Sequence, residues 1–239
     1  MQKSFLHARS TWSVRAPTLS VIITDASTPP GDVQMSRYTG PKVRKMRALS
    51  TYLSGLSGKS MERRSTRPGQ HGHRIGRRKS SDFGVQLHEK QKLQFNYGLR
   101  ERQLARLVKE ARKSQIAAGD KLAELLERRL DNVVFRAGFA RTIPAARQLV
   151  AHGHIQVNRK KVDIASYRVD VGDVIGPKPK TKDKQMIKDA ITGIRITRPD
   201  WLQCNYKEGH ATVLAHPGLD SLSVEVDIAR VIEYYSKRG

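Results

Sequence analysis

The stretch "AARQLVAHGHIQVNRKKV", residues 145–162, changes its hydrophobic period halfway along. In its first half, apolar residues three and four positions apart predict one buried face of a helix. In its second half, Ile155 and Val157 alternate with polar residues, which is the pattern of a half-buried strand. Gly153 lies between the halves, where a glycine in the left-handed conformation commonly ends a helix. The stretch therefore predicts a helix that turns directly into a hairpin.

The residues around this change of period are cationic and polar. Arg147, Gln148 and His152 are expected to point outward from the helix, beside a cationic turn at 158–161. RNA helices expose phosphates and 2′-hydroxyls across a shallow minor groove, so shape recognition needs cations and short polar groups on rigid elements. A solvated basic hairpin stays open as the alternative for Arg159 or Lys160 singly. The predicted RNA surface here consists of Arg141, Arg147, Gln148, His152, His154, Asn158, Arg159, Lys160 and Lys161.

The composition points to an anionic partner. The chain of 239 residues carries 45 Lys and Arg against 22 Asp and Glu, a formal charge of +23. Nucleic acid is the commonest partner of so basic a protein. A membrane surface is the competing interpretation, weakened because no apolar run approaches the roughly 20 residues that span a bilayer. The single cysteine, Cys204, excludes an intrachain disulfide and a multi-cysteine zinc site, and fits a reducing, intracellular compartment.

The segment from Met35 to Ser80 is extremely basic, with Glu62 as its only acid. Glycines and prolines interrupt it, so it cannot form one long helix. Such a segment can hardly bury a core alone, and we expect it to be ordered with RNA or to fold on RNA. Its candidate RNA contacts include Arg44, Arg74, Arg77 and Arg78.

Helical patterns dominate the middle of the chain. A helix capped by Ser81 or Asp82 is predicted to run towards Tyr97, and a second from 99 to 113. A third opens at Gly119-Asp120, and its apolar stripe continues to Ala137. Thr142 is predicted to cap a fourth helix, which has Pro144 in its first turn.

The C-terminal half predicts strands. Alternation resumes around a turn at 172–173, and "IGPKPKTKDK", residues 175–184, is interpreted as a polar linker. The tail has two strand-like runs, 210–215 and 222–228, and then a short helix, 228–236. We expect an α+β fold: a helical, basic N-terminal domain, a module of helices packed on a small antiparallel sheet, and C-terminal strands and a short helix that pack back.

Residues 1–34 differ from the rest and contain few cations. We expect a disordered extension or an upstream methionine wrongly taken as the start; an organellar transit peptide fits less well. The expected domains are 35–130, a basic N-terminal domain; 131–195, the RNA-binding module with its linker; and 196–239, the C-terminal strands and helix.

Catalytic and metal-binding patterns are weak. "RLDN", residues 129–132, is similar to the triplet around the catalytic aspartate of some pseudouridine synthases. It lies within an amphipathic helix with no second acid or nucleophile grouped with it, so Asp131 is expected to be a pairing carboxylate. His71 and His73 have no cysteine nearby, which makes zinc improbable. We predict no catalytic residue, metal or cofactor.

Residues 129–175 closely resemble the S-four RNA-binding module, and the flanks narrow the resemblance. "RYTGPK" (37–42), "ERRSTRPGQHG" (62–72), "YGLRERQLARLVKEA" (97–111) and the tail are similar to the bacterial or organellar fourth small-subunit ribosomal protein, so that the resemblance covers 35–239. Carried over to matching positions, it adds these RNA-binding residues: Tyr38, Lys42, Arg63, Arg64, Pro68, Gly69, Gln70, His71 and Arg100.

The resemblance implies a function. Members of this family bind the 5′ domain of small-subunit rRNA at a multi-helix junction early in assembly. They abut the fifth small-subunit protein where mRNA enters, contribute to translational accuracy, and in some cases repress their own mRNA. Val43, Met46 and Met61 stand where many members have zinc-binding cysteines, which implies a zinc-free version. The expected location is the cytoplasmic ribosome, with an organelle as the alternative. The rival hypotheses are a pseudouridine synthase and a heat-shock-type RNA binder outside the ribosome.

Overall fold

The computed structural model describes residues 38–62, 64, 66–72, 81–182, 184–193, 197–206 and 208–237, and all of them belong to one compact unit. The predictions for residues 1–34, Arg63, His73, Arg74, Arg77 and Arg78 lie outside the described residues. The helices are α1 (Lys42–Leu49), α2 (Asp82–Asn96), α3 (Glu101–Ala111), α4 (Ala118–Glu127), α5 (Leu130–Arg136), α6 (Ile143–Ala151), α7 (Pro179–Lys182), α8 (Gln185–Thr192) and α9 (Ile228–Ser236), with a 3-10 turn at Leu219–Ser221.

In the described part of the chain, five short strands form one antiparallel sheet, and with the helices they confirm the predicted α+β class. The strands are β1 (Ile155–Val157), β2 (Lys160–Lys161), β3 (Val174–Pro177), β4 (Leu202–Asn205) and β5 (His210–Val213), in the spatial order β2-β1-β3-β5-β4. Val157 pairs with Lys160, and on its other side Val157 pairs with Ile175. The predicted hairpin that begins at Ile155 is therefore confirmed, and it forms one edge of the sheet.

Helix α6 begins and ends as predicted. The Thr142 hydroxyl accepts a hydrogen bond from the Ala145 N–H at 3.3 Å, and Pro144 lies in the first turn. At the other end Gly153 has φ +66°, and its N–H donates to the Val150 carbonyl at 2.8 Å. The His154 N–H donates to the Leu149 carbonyl at 3.0 Å, which completes a Schellman motif. The motif turns the chain from the helix into β1 within three residues.

The single helix predicted from 119 to 137 is wrong, because two helices, α4 and α5, occupy this range. The chain leaves the helical path at Arg128 and Arg129, where Arg129 forms an antiparallel bridge with Arg168. The Leu130 N–H donates to the Tyr167 carbonyl at 2.8 Å, and the Val169 N–H donates to the Arg128 carbonyl at 3.0 Å. A distant segment thus satisfies the backbone groups that an unbroken helix would have paired internally.

The polar linker predicted at 175–184 is also wrong. Ile175 lies in the middle strand β3, fully buried, with Val157 opposite on one side and Ala211 on the other. The chain then forms α7, where the Thr181 N–H donates to the Lys178 carbonyl at 2.8 Å. The prolines misled the prediction because one ends a strand and the other begins a short helix, both positions that proline tolerates.

The tail was predicted in part. Strand β5 and helix α9 are confirmed, β4 was missed, and the strand predicted at 222–228 is absent from the described part of the tail. Ser223 shows why: its carbonyl accepts from the Ser54 hydroxyl at 3.0 Å, and its own hydroxyl accepts from the Asn96 amide at 2.8 Å. Side-chain contacts with the helical region, and not a strand ladder, hold this segment.

Helix α1 was not predicted within the basic segment. It is anchored by buried apolar side chains, among them Met46, Leu49 and Leu53, which join the common core. Burying one such side chain contributes about 1.5 to 3 kcal/mol. The segment therefore packs on the rest of the unit, which positions its arginines.

Candidate nucleic-acid interface

The cations of the predicted surface fall into two physical classes, and Arg147 belongs to the inward one. Its guanidinium donates to Asp131 Oδ2 from Nη2 at 2.6 Å and from Nε at 3.0 Å. It also donates to the carbonyls of Gly98 at 2.8 Å and Tyr97 at 3.1 Å. The outward orientation predicted for Arg147 is wrong, because a buried carboxylate and two free carbonyls draw the side chain back to the protein.

Asp131 is the centre of this buried charge cluster. Its side chain is 1% exposed and also accepts from Arg129 Nε at 3.1 Å and Nη2 at 2.9 Å. Two guanidinium groups therefore compensate one carboxylate in a site closed to solvent. Asp131 lies in the first turn of α5 and is the pairing carboxylate that the sequence predicted.

The tip of the hairpin presents cations of the outward class. Asn158 and Arg159 have φ +49° and +65°, the conformation of a two-residue hairpin turn whose twist suits the strands. The turn exposes Arg159, Lys160 and Lys161, and within the described residues Arg159 and Lys160 form no ion pair. Lys161 lies 3.5 Å from Asp163, with both side chains more than half exposed, so this pair contributes little.

The side-chain amide of Asn158 is already bonded to residues at the start of β3. Its Nδ2 donates to Asp173 Oδ1 at 2.7 Å, and its Oδ1 accepts from the Val174 N–H at 2.9 Å. Asn158 therefore holds the turn in the shape that presents the neighbouring cations.

His152 and His154 flank Gly153 between α6 and β1, with ring centroids 6.1 Å apart. Burial lowers the pKa of His154 below its usual value, and the positive charges of Lys184, His152 and Lys178 lower it further. Sequence reasoning missed these two lysines because it assigned them to a linker. The Lys178 N–H donates to the His154 carbonyl at 2.8 Å, which holds Lys178 next to His154.

A second group of predicted residues shares a cavity of about 440 Å³ in the N-terminal region. Arg47 and Arg67, which were not predicted as site residues, complete it, and Arg47 Nε donates to the Thr66 carbonyl at 2.9 Å. No carboxylate lines the cavity among the described residues. The lining includes Arg44, Arg47, Arg64, Arg67, Pro68 and Gly69; Lys42 begins α1, and Gln70 and His71 are exposed.

The remaining predicted residues lie at two clefts of α6. Tyr38 and Arg100 line the same cavity as Arg147, beside the end of α2. Arg141 is exposed before α6, and its Nη2 donates to the Asp189 carbonyl at 3.1 Å. Gln148 is exposed on the outer face of α6.

The described residues also limit other kinds of site. Across these ranges, no three His, Cys, Asp or Glu side chains come together as a possible metal site. In the same part of the chain, no helix is long and apolar enough to cross a membrane.

Comparison with protein families agrees with this geometry. The S4 domain model matches residues 128–175, which hold the hairpin and its preceding helices, and the model of the ribosomal protein S4/S9 N-terminal domain matches residues 37–127. The fold and the cationic tip thus define an RNA-binding protein of the S4-domain class.

Several curated proteins share nearly the whole described chain. The small ribosomal subunit protein uS4 of Methylobacillus flagellatus is 51% identical over 204 residues, which cover 85% of this chain and 100% of that protein. Protein uS4B of Nitrosomonas europaea is 48% identical and uS4 of Brevibacillus brevis 46% identical, each with 85% of this chain and 100% of the relative covered. The chain belongs to the uS4 family of small ribosomal subunit proteins, which are structural proteins of the ribosome and not enzymes.

Proposed function

We propose that this chain is a primary binder of the 5′ domain of small-subunit rRNA and joins it early in assembly. The observation that carries the proposal is the set of exposed hairpin cations, Arg159, Lys160 and Lys161, of which only Lys161 has a carboxylate nearby, at 3.5 Å, within the described residues. Unpaired cations on a rigid turn gain most from phosphate, because binding releases the counterions of the RNA.

The arginine-lined cavity of the N-terminal region supports the same proposal. Arg44 and Arg47 lie on α1, which is anchored in the core, and Arg47 is also bonded to the Thr66 carbonyl, so these two cations are positioned before RNA arrives. Preorganised donors lose less conformational freedom on binding than a flexible basic tail does. We propose that this cavity, the hairpin tip, Gln148, Arg141 and the two histidines form one rRNA-binding footprint.

We further propose that the C-terminal tail meets the fifth small-subunit protein where mRNA enters and so contributes to translational accuracy. From Asp200 onward the tail has six acids against four Lys and Arg, which is unsuited to rRNA. Leu214 and Leu219 are exposed in this region, as is Val174 beside them in the sheet, and such side chains suit a protein partner. In some settings the RNA surface would also bind the chain's own mRNA as a repressor.

The proposed domain organisation follows the division between RNA-binding and protein-binding surfaces. Residues 35–130 would form the basic N-terminal domain, 131–195 the RNA-binding module and 196–239 the protein-facing tail. We propose the cytoplasmic ribosome as the location; co-fractionation with organellar ribosomes would contradict it.

Sucrose-gradient sedimentation of the tagged protein tests the proposal. The expected result is partition into small subunits and their precursors that survives a salt wash. Absence from both would contradict the proposal and favour a free-standing RNA binder of the heat-shock type.

A binding assay with transcripts tests the finer claim. The protein should bind a 5′-domain transcript more tightly than a 3′-domain transcript of matched length at the same salt. Equal affinity for the two would mean that the cations bind any RNA.

A further inference from the structure

A cavity of about 610 Å³ opens between the end of α2, the start of α3 and the first turn of α6. Its volume lies within the range of pockets that hold small organic ligands, about 300 to 1,000 Å³. Leu56 and Leu99 form a buried apolar base, and Pro144 forms part of the wall. The cavity is therefore a shaped apolar recess on a strongly basic protein.

Two aromatic rings form one side of this cavity. The ring centroids of Tyr38 and Phe95 are 5.5 Å apart at 74°, and both side chains are partly exposed. The Lys45 ammonium lies 5.3 Å and 5.0 Å from the two ring centroids and forms no ion pair with the carboxylates that the structure describes. Aromatic side chains beside an unpaired cation are typical of sites that stack an RNA base and bind its phosphate.

Arg147 forms another side. Its guanidinium is held by Asp131 and by the carbonyls of Tyr97 and Gly98, so its plane is fixed before any ligand arrives. RNA-binding proteins stack unpaired bases on such guanidinium planes as well as on aromatic rings. Gly98 permits the close approach, because a Cβ there would lie 3.3 Å from Arg147 Nη1.

The mouth of the cavity favours an anion. Arg102 is exposed and has no carboxylate partner within the described ranges. Glu101 also lines the cavity, but its carboxylate is already bound by the Lys90 ammonium at 2.5 Å and the Tyr235 hydroxyl at 2.9 Å. Glu101, the acid that lines the cavity among the described residues, is thus compensated, while Lys45 and Arg102 have no carboxylate partner in the same ranges.

We propose that this cavity takes one unstacked nucleotide of RNA. The base lies against Phe95 and the Arg147 guanidinium, and the adjoining phosphate lies near Lys45 and Arg102. This inference rests on the proposed rRNA function and sharpens it: the hairpin reads the shape of a duplex, while the cavity requires an unpaired nucleotide beside that duplex. Arg147, which is bound by Asp131 and does not extend outward as predicted, would then contact RNA through the face of its guanidinium that lines the cavity.

Ultraviolet crosslinking to the 5′-domain transcript locates the nucleotide directly. Trypsin cleaves the chain so that Phe95 falls in peptide 93–100 and Phe83, which is exposed at the other end of α2, falls in peptide 80–90. The proposal predicts nucleotide adducts on peptide 93–100 and none on peptide 80–90. Adducts on the control peptide alone, or on neither, would overturn it.

Matched variants of the same helix measure the energetic effect. Phe95→Leu keeps an apolar side chain but removes the stacking surface, and should weaken binding to the 5′-domain transcript about tenfold. Phe83→Leu should leave the affinity unchanged, and neither variant should affect binding to a perfect RNA duplex. Equal affinity of both variants and wild type would overturn only the proposal that the cavity binds a nucleotide. A wild-type protein that fails to bind the transcript would overturn the proposed rRNA function as well.

Discussion

Arg147 lies in the helix and Lys161 in the hairpin of the same helix–hairpin unit. The two cations differ in their partners and in their exposure to solvent. The Arg147 side chain is 18% exposed and is bound by a buried carboxylate and two carbonyls, whereas the Lys161 side chain is 56% exposed beside one exposed acid. Both were predicted to face RNA because both are cations at suitable spacing. A buried carboxylate partner therefore decides whether a basic side chain is held by the protein or extends into solvent, where it can pair with phosphate.

The largest effect on stability is expected when the buried carboxylate partner of Arg147 is removed. Asp131→Ala leaves Arg129 and Arg147 without their carboxylate in a closed site, and should lower the free energy of unfolding by about 3 to 5 kcal/mol. Urea denaturation measures the change. Asp163→Ala, which removes only the exposed partner of Lys161, should leave the urea midpoint unchanged. An equal loss of stability in the two variants would contradict the distinction between the buried and the exposed pair.

A smaller effect is expected at the joint between helix and hairpin. Gly153→Ala places a Cβ at φ +66° and within 2.5 Å of the Lys161 Cε, so it should cost about 1 to 2 kcal/mol and displace the tip. Thermal unfolding and rRNA affinity should both fall. Gly218→Ala is the control, because that glycine has φ −93° and open space around its Cα. If the two variants have the same thermal stability and rRNA affinity, the left-handed conformation of Gly153 has no special role.

The smallest effect is expected on the pKa of His154. Since the positive charge of Lys184 contributes to lowering the pKa of His154, Lys184→Ala should move that pKa upward, towards 6.5. NMR titration of the imidazole measures it, with Lys180→Ala as the control that should leave it in place. A phosphate bound nearby should also raise the pKa of His154, so rRNA binding should take up protons and tighten as the pH falls below neutrality.

Local features of the fold could be predicted from the sequence. The Thr142 cap, the Gly153 end of α6 and the hairpin from Ile155 each depend on residues within a few positions of one another. Their chemistry is local, so spacing alone identifies them. The same is true of α9, which the apolar spacing predicts with its observed bounds.

Features that depend on distant partners could not be predicted. Arg147 turns inward because Asp131 lies 16 residues before it and the Gly98 carbonyl 49 residues before it. The helix break at Arg129 likewise depends on Arg168, and Lys178, which follows β3, joins the site only because β3 inserts into the sheet. No local pattern of residues contains these pairings.

The salt dependence of rRNA binding tests the central claim most directly. The triple variant Arg159→Ala, Lys160→Ala, Lys161→Ala and the triple variant Arg168→Ala, Arg230→Ala, Lys237→Ala each remove three positive charges, but the second set is already paired with Glu110, Asp227 and Glu233. With the 5′-domain transcript, the log–log salt slope of the hairpin variant should flatten by about 2 to 3, at roughly 0.7 to 0.9 per lost phosphate contact, while the slope of the paired variant should match wild type. Equal slopes for the two triple variants would contradict the account.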